Sequence, residues 1–431
     1  MKRRASALAQ WSGLGALVGL ACGAASALFL MALDVVTRFR GTHEAIVYAL
    51  PLAGLVVGAI YERWGQSIKG GNNLIIDTIH VEDAVDAPQI PLRMAPMVLA
   101  GTVLTHLFGG SAGREGTAVQ MGASLADEIA HRFGVGRALR RQLLAAGIAG
   151  GFGSVFGTPI AGTIFGLEVV SVGRMEYDAL VPALVAALVG DFTTRSLGVV
   201  HTAYPAMPAL ELGPVLLAKL ALIGVAMALA TMAFVELTHR LKKALEARVP
   251  RLPVRMFLGG LVIVALWKLV GTSDYLGLGV PTIVRAFTDP HLASYAFAAK
   301  LVFTAISLSS GFLGGEVTPL FFVGATLGSV LARLLGLPLE LGAGVGVAAV
   351  FGAAANTPIA LSIMAAEILG GAAFPHVVIV TVIAYLLSGH RGIYPAQRLG
   401  RRKHGGSLIE PPVALRSYQD EAPRPAEEPE A

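Results

Sequence analysis

Charge is scarce in this chain, and cysteine scarcer. Only 14% of the 431 residues are Asp, Glu, Lys or Arg, against 55% hydrophobic, and the mean hydropathy is +0.68. So little polarity cannot cover a water-facing surface, which excludes an ordinary soluble globule and leaves a polytopic membrane protein. The one cysteine, Cys22, excludes an internal disulfide framework and reads as a small packing residue in apolar sequence. His80, His106 and His376 lack metal-ligand spacing, and no nucleotide or phosphate motif stands out, so neither a metal nor a cofactor is expected. The basic clusters at 2–4, 132–141, 240–255 and 398–403 are not interleaved with aromatics on a soluble module, which argues against a nucleic-acid partner. Positive loops tend to stay inside, so both termini are expected in the cytoplasm of a cell whose plasma (inner) membrane holds the chain.

What is present is apolar and interrupted. Residues 11–33 are 23 uncharged positions, longer than a usual signal core and followed by no clear cleavage site, and they predict a first spanning helix. Further apolar stretches run over 46–61, 94–113, 143–167, 180–190, 214–235, 256–267, 301–332, 341–366 and 368–388. Their uneven lengths, and the Gly and Pro within them, predict an all-α fold with some helices short, tilted or ending mid-bilayer. The 52 glycines fit close helix packing in lipid. Lys219, Lys268 and Lys300 near segment ends read as snorkelling side chains. Eleven of the 61 charged residues lie in 401–431, and the Pro- and Glu-rich stretch 399–431 reads as a disordered cytoplasmic tail.

An internal repeat is legible by eye. Phe152-Gly153, Thr158-Pro159-Ile160-Ala161, Ile164 and Glu168 recur 199 positions later as Phe351-Gly352, Thr357-Pro358-Ile359-Ala360, Ile363 and Glu367. Gly122-Ala123-Ser124-Leu125 pairs with Gly324-Ala325-Thr326-Leu327 at an offset of 202. Two related halves follow, 1–205 and 206–398, of a kind that commonly meets at a midplane binding site built from discontinuous helices; sequence identity alone leaves parallel and inverted arrangements open. The recurring Glu168 and Glu367 read as symmetric helix caps or packing residues, and Asn356 as a turn residue.

Two glutamates sit at glycine breaks: Glu115 in Gly113-Arg114-Glu115-Gly116-Thr117, and Glu316 in Gly314-Gly315-Glu316-Val317-Thr318-Pro319. A carboxyl at bilayer depth costs about 3 kcal/mol or more, so an intramembrane acid points to function. These breaks and Gly70-Gly71-Asn72-Asn73 each precede an apolar stretch, and each can place free N–H groups and a positive dipole end where an anion would bind. The alternative is that they are tight turns or packing glycines.

The run Gly113-Arg114-Glu115-Gly116, followed by Thr117-Ala118-Val119-Gln120-Met121-Gly122, closely resembles the gating-glutamate motif of the CLC chloride channels and transporters, and the Thr-Pro-Ile-Ala repeat resembles the helices that follow in both halves of that fold. Similarity runs from about Gly70 to Tyr394. It implies an inverted repeat of tilted, partly discontinuous helices in a homodimer, one anion pathway per subunit. Where chloride-type members carry serine in a Gly-Ser-Gly-Ile-Pro loop, this chain has Gly71-Asn72-Asn73-Leu74-Ile75. It has Thr117 in place of proline, Gly315-Glu316-Val317-Thr318-Pro319 in place of Gly-x-Phe-x-Pro, and Val169 where proton-coupled chloride exchangers carry a second acid. That set resembles the fluoride-exporting, proton-exchanging branch. The resemblance implies Glu115 as gate and proton carrier, with Gly71, Asn72, Asn73, Gly113, Arg114, Gly116, Thr117, Glu316, Val317, Thr318 and Tyr394 along the anion path; Arg114 could equally be structural, and Glu316 a buried acid satisfied by neighbouring N–H groups. Fluoride is strongly hydrated, so short, well-aimed donors must replace its water. The competing readings are a chloride channel or chloride/proton exchanger of the same fold and, more distantly, a membrane enzyme using the two acids, for which nothing else in the sequence speaks.

Overall fold

The computed structural model describes residues 2–81, 89–208, 210–403, 405 and 408–420. The first half comprises α1 (Lys2–Thr42), α2 (Leu50–Trp64), α3 (Asn72–His80), α4 (Met94–Leu107), α5 (Glu115–Arg132), α6 (Arg137–Phe156), α7 (Pro159–Glu168), the two-residue strand β1 (Ser171–Val172) and α8 (Leu180–Ser196). The second comprises α9 (Pro214–Arg248), α10 (Leu252–Val270), α11 (Val280–Arg285), α12 (Ala296–Ser310), α13 (Val317–Leu335), α14 (Leu339–Ala354), α15 (Pro358–Leu369) and α16 (Phe374–Leu387). The chain closes with β2 (Arg398–Arg401), β3 (Leu408–Ala414) and α17 (Leu415–Asp420). Among the described residues, six segments are long and apolar enough to span a membrane: 8–42, 44–64, 177–196, 214–248, 252–270 and 317–335. The 35 residues of the first would extend about 50 Å, more than the hydrocarbon thickness, so such a helix crosses tilted. By contrast α7, with 10 residues, is about 15 Å long and reaches only halfway.

The apolar stretches break where the backbone demands it. Stretch 143–167 divides at Gly157, which adopts the left-handed conformation (φ 74°) that closes α6, and Pro159 then opens α7. Stretch 341–366 divides the same way: Asn356 takes φ 58° and Pro358 opens α15. The caps of the two restarting helices match, Thr158 at φ −127°, ψ 74° and Thr357 at φ −128°, ψ 60°.

The repeated acids show how the halves are related. Glu168, at the end of α7, accepts from the Ile359 and Ala360 amides opening α15 (3.1 and 2.8 Å), and Glu367, near the end of α15, accepts from the Ile160 and Ala161 amides opening α7 (3.2 and 2.8 Å). Each C-terminus reaches the other's N-terminus, so these equivalent helices are antiparallel and the repeat is inverted. Phe152 and Phe351 stack across the same seam with centroids 6.5 Å apart, joined by Phe165 and Phe321. The second repeated block is a packing device. A Cβ on Gly122 would lie 2.2 Å from the Gly147 carbonyl oxygen, and one on Gly324 2.0 Å from that of Gly346, so α5 meets α6 and α13 meets α14 backbone to backbone.

Two expectations are corrected. The described residues 399–403 and 408–420 carry structure where a disordered tail was expected: β2 pairs in parallel with β1 (Ser171 with Arg398, Val172 with Leu399) and antiparallel with β3. Arg416 of α17 forks onto Asp77 of α3 at 2.9 Å through both nitrogens; residues 421–431 lie outside the described chain. Lys300 does not snorkel. It is wholly buried and donates to the carbonyls of Gly277 (2.6 Å) and Tyr275 (3.2 Å), because the loop after α10 folds over the start of α12. Lys268 stays exposed, its ammonium 4.5 Å from the Trp267 ring centre.

Candidate functional site

The helices α5 and α13 begin head to head. Gly113 and Gly315, equivalent positions in the repeat, exchange two backbone hydrogen bonds, Gly113 N–H to Gly315 O at 2.6 Å and Gly315 N–H to Gly113 O at 2.8 Å. Only glycine permits the approach: a Cβ on Gly315 would lie 2.7 Å from the Gly116 nitrogen, and one on Gly113 2.9 Å from the Gly315 oxygen. Two sets of free helix-start amides therefore converge on one point of the seam.

Glu115 occupies that point. It is 1% exposed, and its Oε1 and Oε2 lie 2.6 and 2.7 Å from the Thr318 hydroxyl, which donates to the carboxylate. The backbone amides of Thr318 and Arg114 each donate to Oε2 at 3.1 Å, and the Arg114 guanidinium Nε stands 3.5 Å from Oε1. A carboxylate held by a hydroxyl, two amides and a cation fills a place with the chemistry of an anion site.

Around it the other candidates divide. Asn72 at the start of α3 lies against the first turn of α5; a Cβ on Gly116 would come within 3.3 Å of its Nδ2, and its Oδ1 is buried without a partner. Gly71 before it takes φ 54°, which turns the chain into α3. Asn73 is a fastener: its Oδ1 accepts from the Ala396 amide at 3.0 Å, tying α3 to the loop that carries Tyr394. Tyr394 is 4% exposed and lines a narrow gap with Asn72, Val119, Phe165 and Val169. Glu316 is not paired with Glu115. It is half-buried and faces a cavity of about 440 Å³ lined also by Asn73, Thr238, His239, Lys242, Lys243 and Glu246. No N–H of another described residue bonds to its carboxylate, which shares that cavity with the Lys242 ammonium.

Two residues placed on the path do not present their side chains to it. The Thr117 hydroxyl bonds the Thr102 hydroxyl at 2.7 Å, joining α5 to α4, and Val317 is buried in the apolar core. Sequence reasoning missed the supports of the gate loop. Ser111 donates its amide to Ser307 Oγ (3.0 Å) and shares a hydrogen bond with Thr304 (2.9 Å), while His106 is wedged between the carbonyls of Thr102 and Ala112. It missed Gln397 as well, whose buried amide donates to Val169 O and Ala355 O (both 2.8 Å) and accepts from Asn356 (3.0 Å), fixing the Tyr394 loop to both halves. Lone serines and glutamines carry no spacing signal.

The family model described as voltage gated chloride channel matches residues 53–389. The chain is 48% identical over 412 residues, 94% of its length and 89% of the other's, to a protein of Pseudomonas syringae pv. tomato named chloride/fluoride channel protein. Among solved structures it is similar to a CLC-type fluoride/proton antiporter, with TM-score 0.87, 37% identity, and coverage of 90% of this chain and 98% of that one. A slow cyanobacterial Cl−/H+ antiporter shares the fold at TM-score 0.70 and 19% identity, over 88% and 94% of the two chains.

Proposed function

Because this chain belongs to the voltage gated chloride channel family of membrane transport proteins, we propose that it exports fluoride in exchange for protons, with Glu115 as gate and proton carrier. The observation that carries the reading is the docking of the Glu115 carboxylate among the Thr318 hydroxyl, two amides and the Arg114 cation. Ionised, Glu115 is a tethered anion that competes with the travelling one. Protonated, it loses charge-assisted bonds, leaves those donors, and gives them to the ion. Proton uptake and anion entry then favour one another, which is coupling in the thermodynamic sense.

Fluoride suits these donors because a small, strongly hydrated ion needs short hydrogen bonds in place of its water, and the hydroxyl of Thr318, the Asn72 amide and the Tyr394 hydroxyl are short and directional. Glu316, at the cavity on the Lys242 side, receives or releases the proton between Glu115 and water. The protein acts as a homodimer in the plasma (inner) membrane with both termini cytoplasmic, carries no enzymatic activity, and needs no cofactor. The test is paired efflux of fluoride and chloride from the same proteoliposomes with proton flux recorded. Fluoride-driven proton movement that vanishes in Glu115→Gln is expected. Equal or faster chloride exchange would replace this reading with a chloride transporter of the same fold, and unchanged coupling in Glu115→Gln would remove Glu115 from the gate.

A further inference from the structure

Helix α3, which opens on Asn72, is short: nine residues, about 14 Å. Its buried face is Ile75, Ile76 and Ile79, and apolar contact, being non-directional, presses a helix onto its neighbours without fixing where along them it sits. Directional bonds must do that. Among the described residues, the side-chain hydrogen bonds that leave α3 all end on the C-terminal segment 396–416 or on residues 170–171, where that segment pairs with β1. Asn73 accepts from the Ala396 amide at 3.0 Å, and His80 Nε2 bonds the Val170 carbonyl at 3.1 Å. Asp77 takes both arms of Arg416 at 2.9 Å and one nitrogen of Arg398 at 3.5 Å.

The same segment holds the loop of Tyr394. The Arg416 amide donates to the Pro395 carbonyl at 2.9 Å and the Leu415 amide to that of Gln397 at 2.8 Å, while the Leu415 side chain is buried against Val172 and Leu399. Arg416 therefore grips α3 with its guanidinium and the residue after Tyr394 with its backbone. Asn72 and Tyr394 line one narrow gap, so the two pieces that Arg416 joins are the two that carry its polar groups. Asp77 itself stands in the last turn of α3, where the negative end of the helix dipole disfavours an acid. The helix gains nothing from it there; the two arginines of the C-terminal segment do.

We propose that Arg416 is a positioning residue for anion binding: through Asp77 it sets the spacing of the Asn72 amide and the Tyr394 hydroxyl, and with it the fluoride affinity of the gap they line. The inference rests on the transport reading above. Short hydrogen bonds to a small ion tolerate little displacement, so a tie that holds α3 in register acts on affinity before it acts on the fold.

The experiment compares the full-length wild type, Arg416→Gln, Asp77→Asn and the double variant in proteoliposomes loaded with increasing fluoride. Both side chains are partly exposed, so the substitutions leave the core intact. Loss of a forked, partly exposed ion pair is expected to raise the half-saturating fluoride concentration about three- to fivefold in Arg416→Gln and at least as much in Asp77→Asn, with maximal rate retained. The double variant should be no worse than Asp77→Asn alone, because the two residues act through one contact. The proposal is overturned if either single variant saturates as the wild type does, if maximal rate falls while half-saturation stays put, the mark of a merely structural role, or if the two losses add. If the wild type moves neither fluoride nor chloride, the transport reading fails by itself. Calorimetric titration of sodium fluoride into the detergent-solubilised proteins then decides the positioning role: weaker binding in Arg416→Gln sustains it, and equal binding, or none in the wild type, rejects it.

Discussion

Thr318 is the residue on which the docked state of Glu115 turns. It gives the carboxylate both its hydroxyl and its amide, and only the hydroxyl can be removed by substitution. A hydrogen bond to a charged group contributes about 1.5–3 kcal/mol, so Thr318→Val is expected to shift the balance between docked and released carboxylate by roughly 10- to 100-fold. The proton-to-fluoride flux ratio in proteoliposomes should fall, and Thr318→Ser should restore it. A Val variant that keeps the wild-type ratio would mean that the backbone amides alone hold the gate. Thr117 makes a contrasting control at the same helix start. Its hydroxyl faces Thr102, so Thr117→Val should loosen α4 against α5 and lower the thermal midpoint in detergent while leaving the flux ratio intact.

At the scale of elements, the antiparallel pair α7 and α15 is held by reciprocal carboxylate caps. Glu168 is 7% exposed and serves two amides, so Glu168→Ala is expected to cost about 1–3 kcal/mol of stability; Glu367→Ala, whose side chain is exposed, should cost less. Thermal unfolding followed by size-exclusion chromatography measures both. These caps were legible in the sequence because a proline at the first helical turn, a threonine before it and an acid at the far end recur at one spacing, and each has a local physical reason. The C-terminal sheet was not legible. Its partner for β2 is a two-residue strand after α7, a pairing no local composition announces, and a Pro- and Glu-rich stretch reads as tail unless that edge is known. Lys300 was misread for a similar reason, since the loop that buries it comes from before α12. Within the sheet connection, burial pushes the Lys403 ammonium from 10.5 down to about 7. The opened segment binds the extra proton between those values, so the sheet's stability should be lowest below about pH 7 and rise toward pH 10. Amide exchange over 398–414, corrected for intrinsic rates, should show that rise in the wild type and a flat profile in Lys403→Met.

For the whole molecule, the decisive feature is that two inverted halves touch through glycine where a lipid-soluble protein can least tolerate free backbone groups. The Gly113–Gly315 exchange satisfies one N–H and one carbonyl of each chain segment and leaves the next amides free for the carboxylate. The positions of Glu115, Asn72 and Tyr394 around this seam were readable from glycine breaks and family resemblance. The separation of Glu316 from Glu115 was not, because nothing in the two motifs says that Gly113 is set against Gly315, which aligns Glu316 with Arg114 and not with Glu115. A methyl group tests the seam directly. Gly315→Ala places a Cβ 2.7 Å from the Gly116 nitrogen, so the halves must part or α5 must shift. Both displace the Thr318 amide and hydroxyl from Glu115, and a misplacement of about 1 Å can cost on the order of 100-fold in a rate that depends on geometry. The expected result is loss of coupled transport in a protein that still folds, since the α7–α15 caps lie elsewhere along the seam. Gly336→Ala, at a helix end with open space around it, should transport normally despite its strained φ of 62°. Equal transport by Gly315→Ala and the wild type would show that the two helix starts need not touch for the pathway to work.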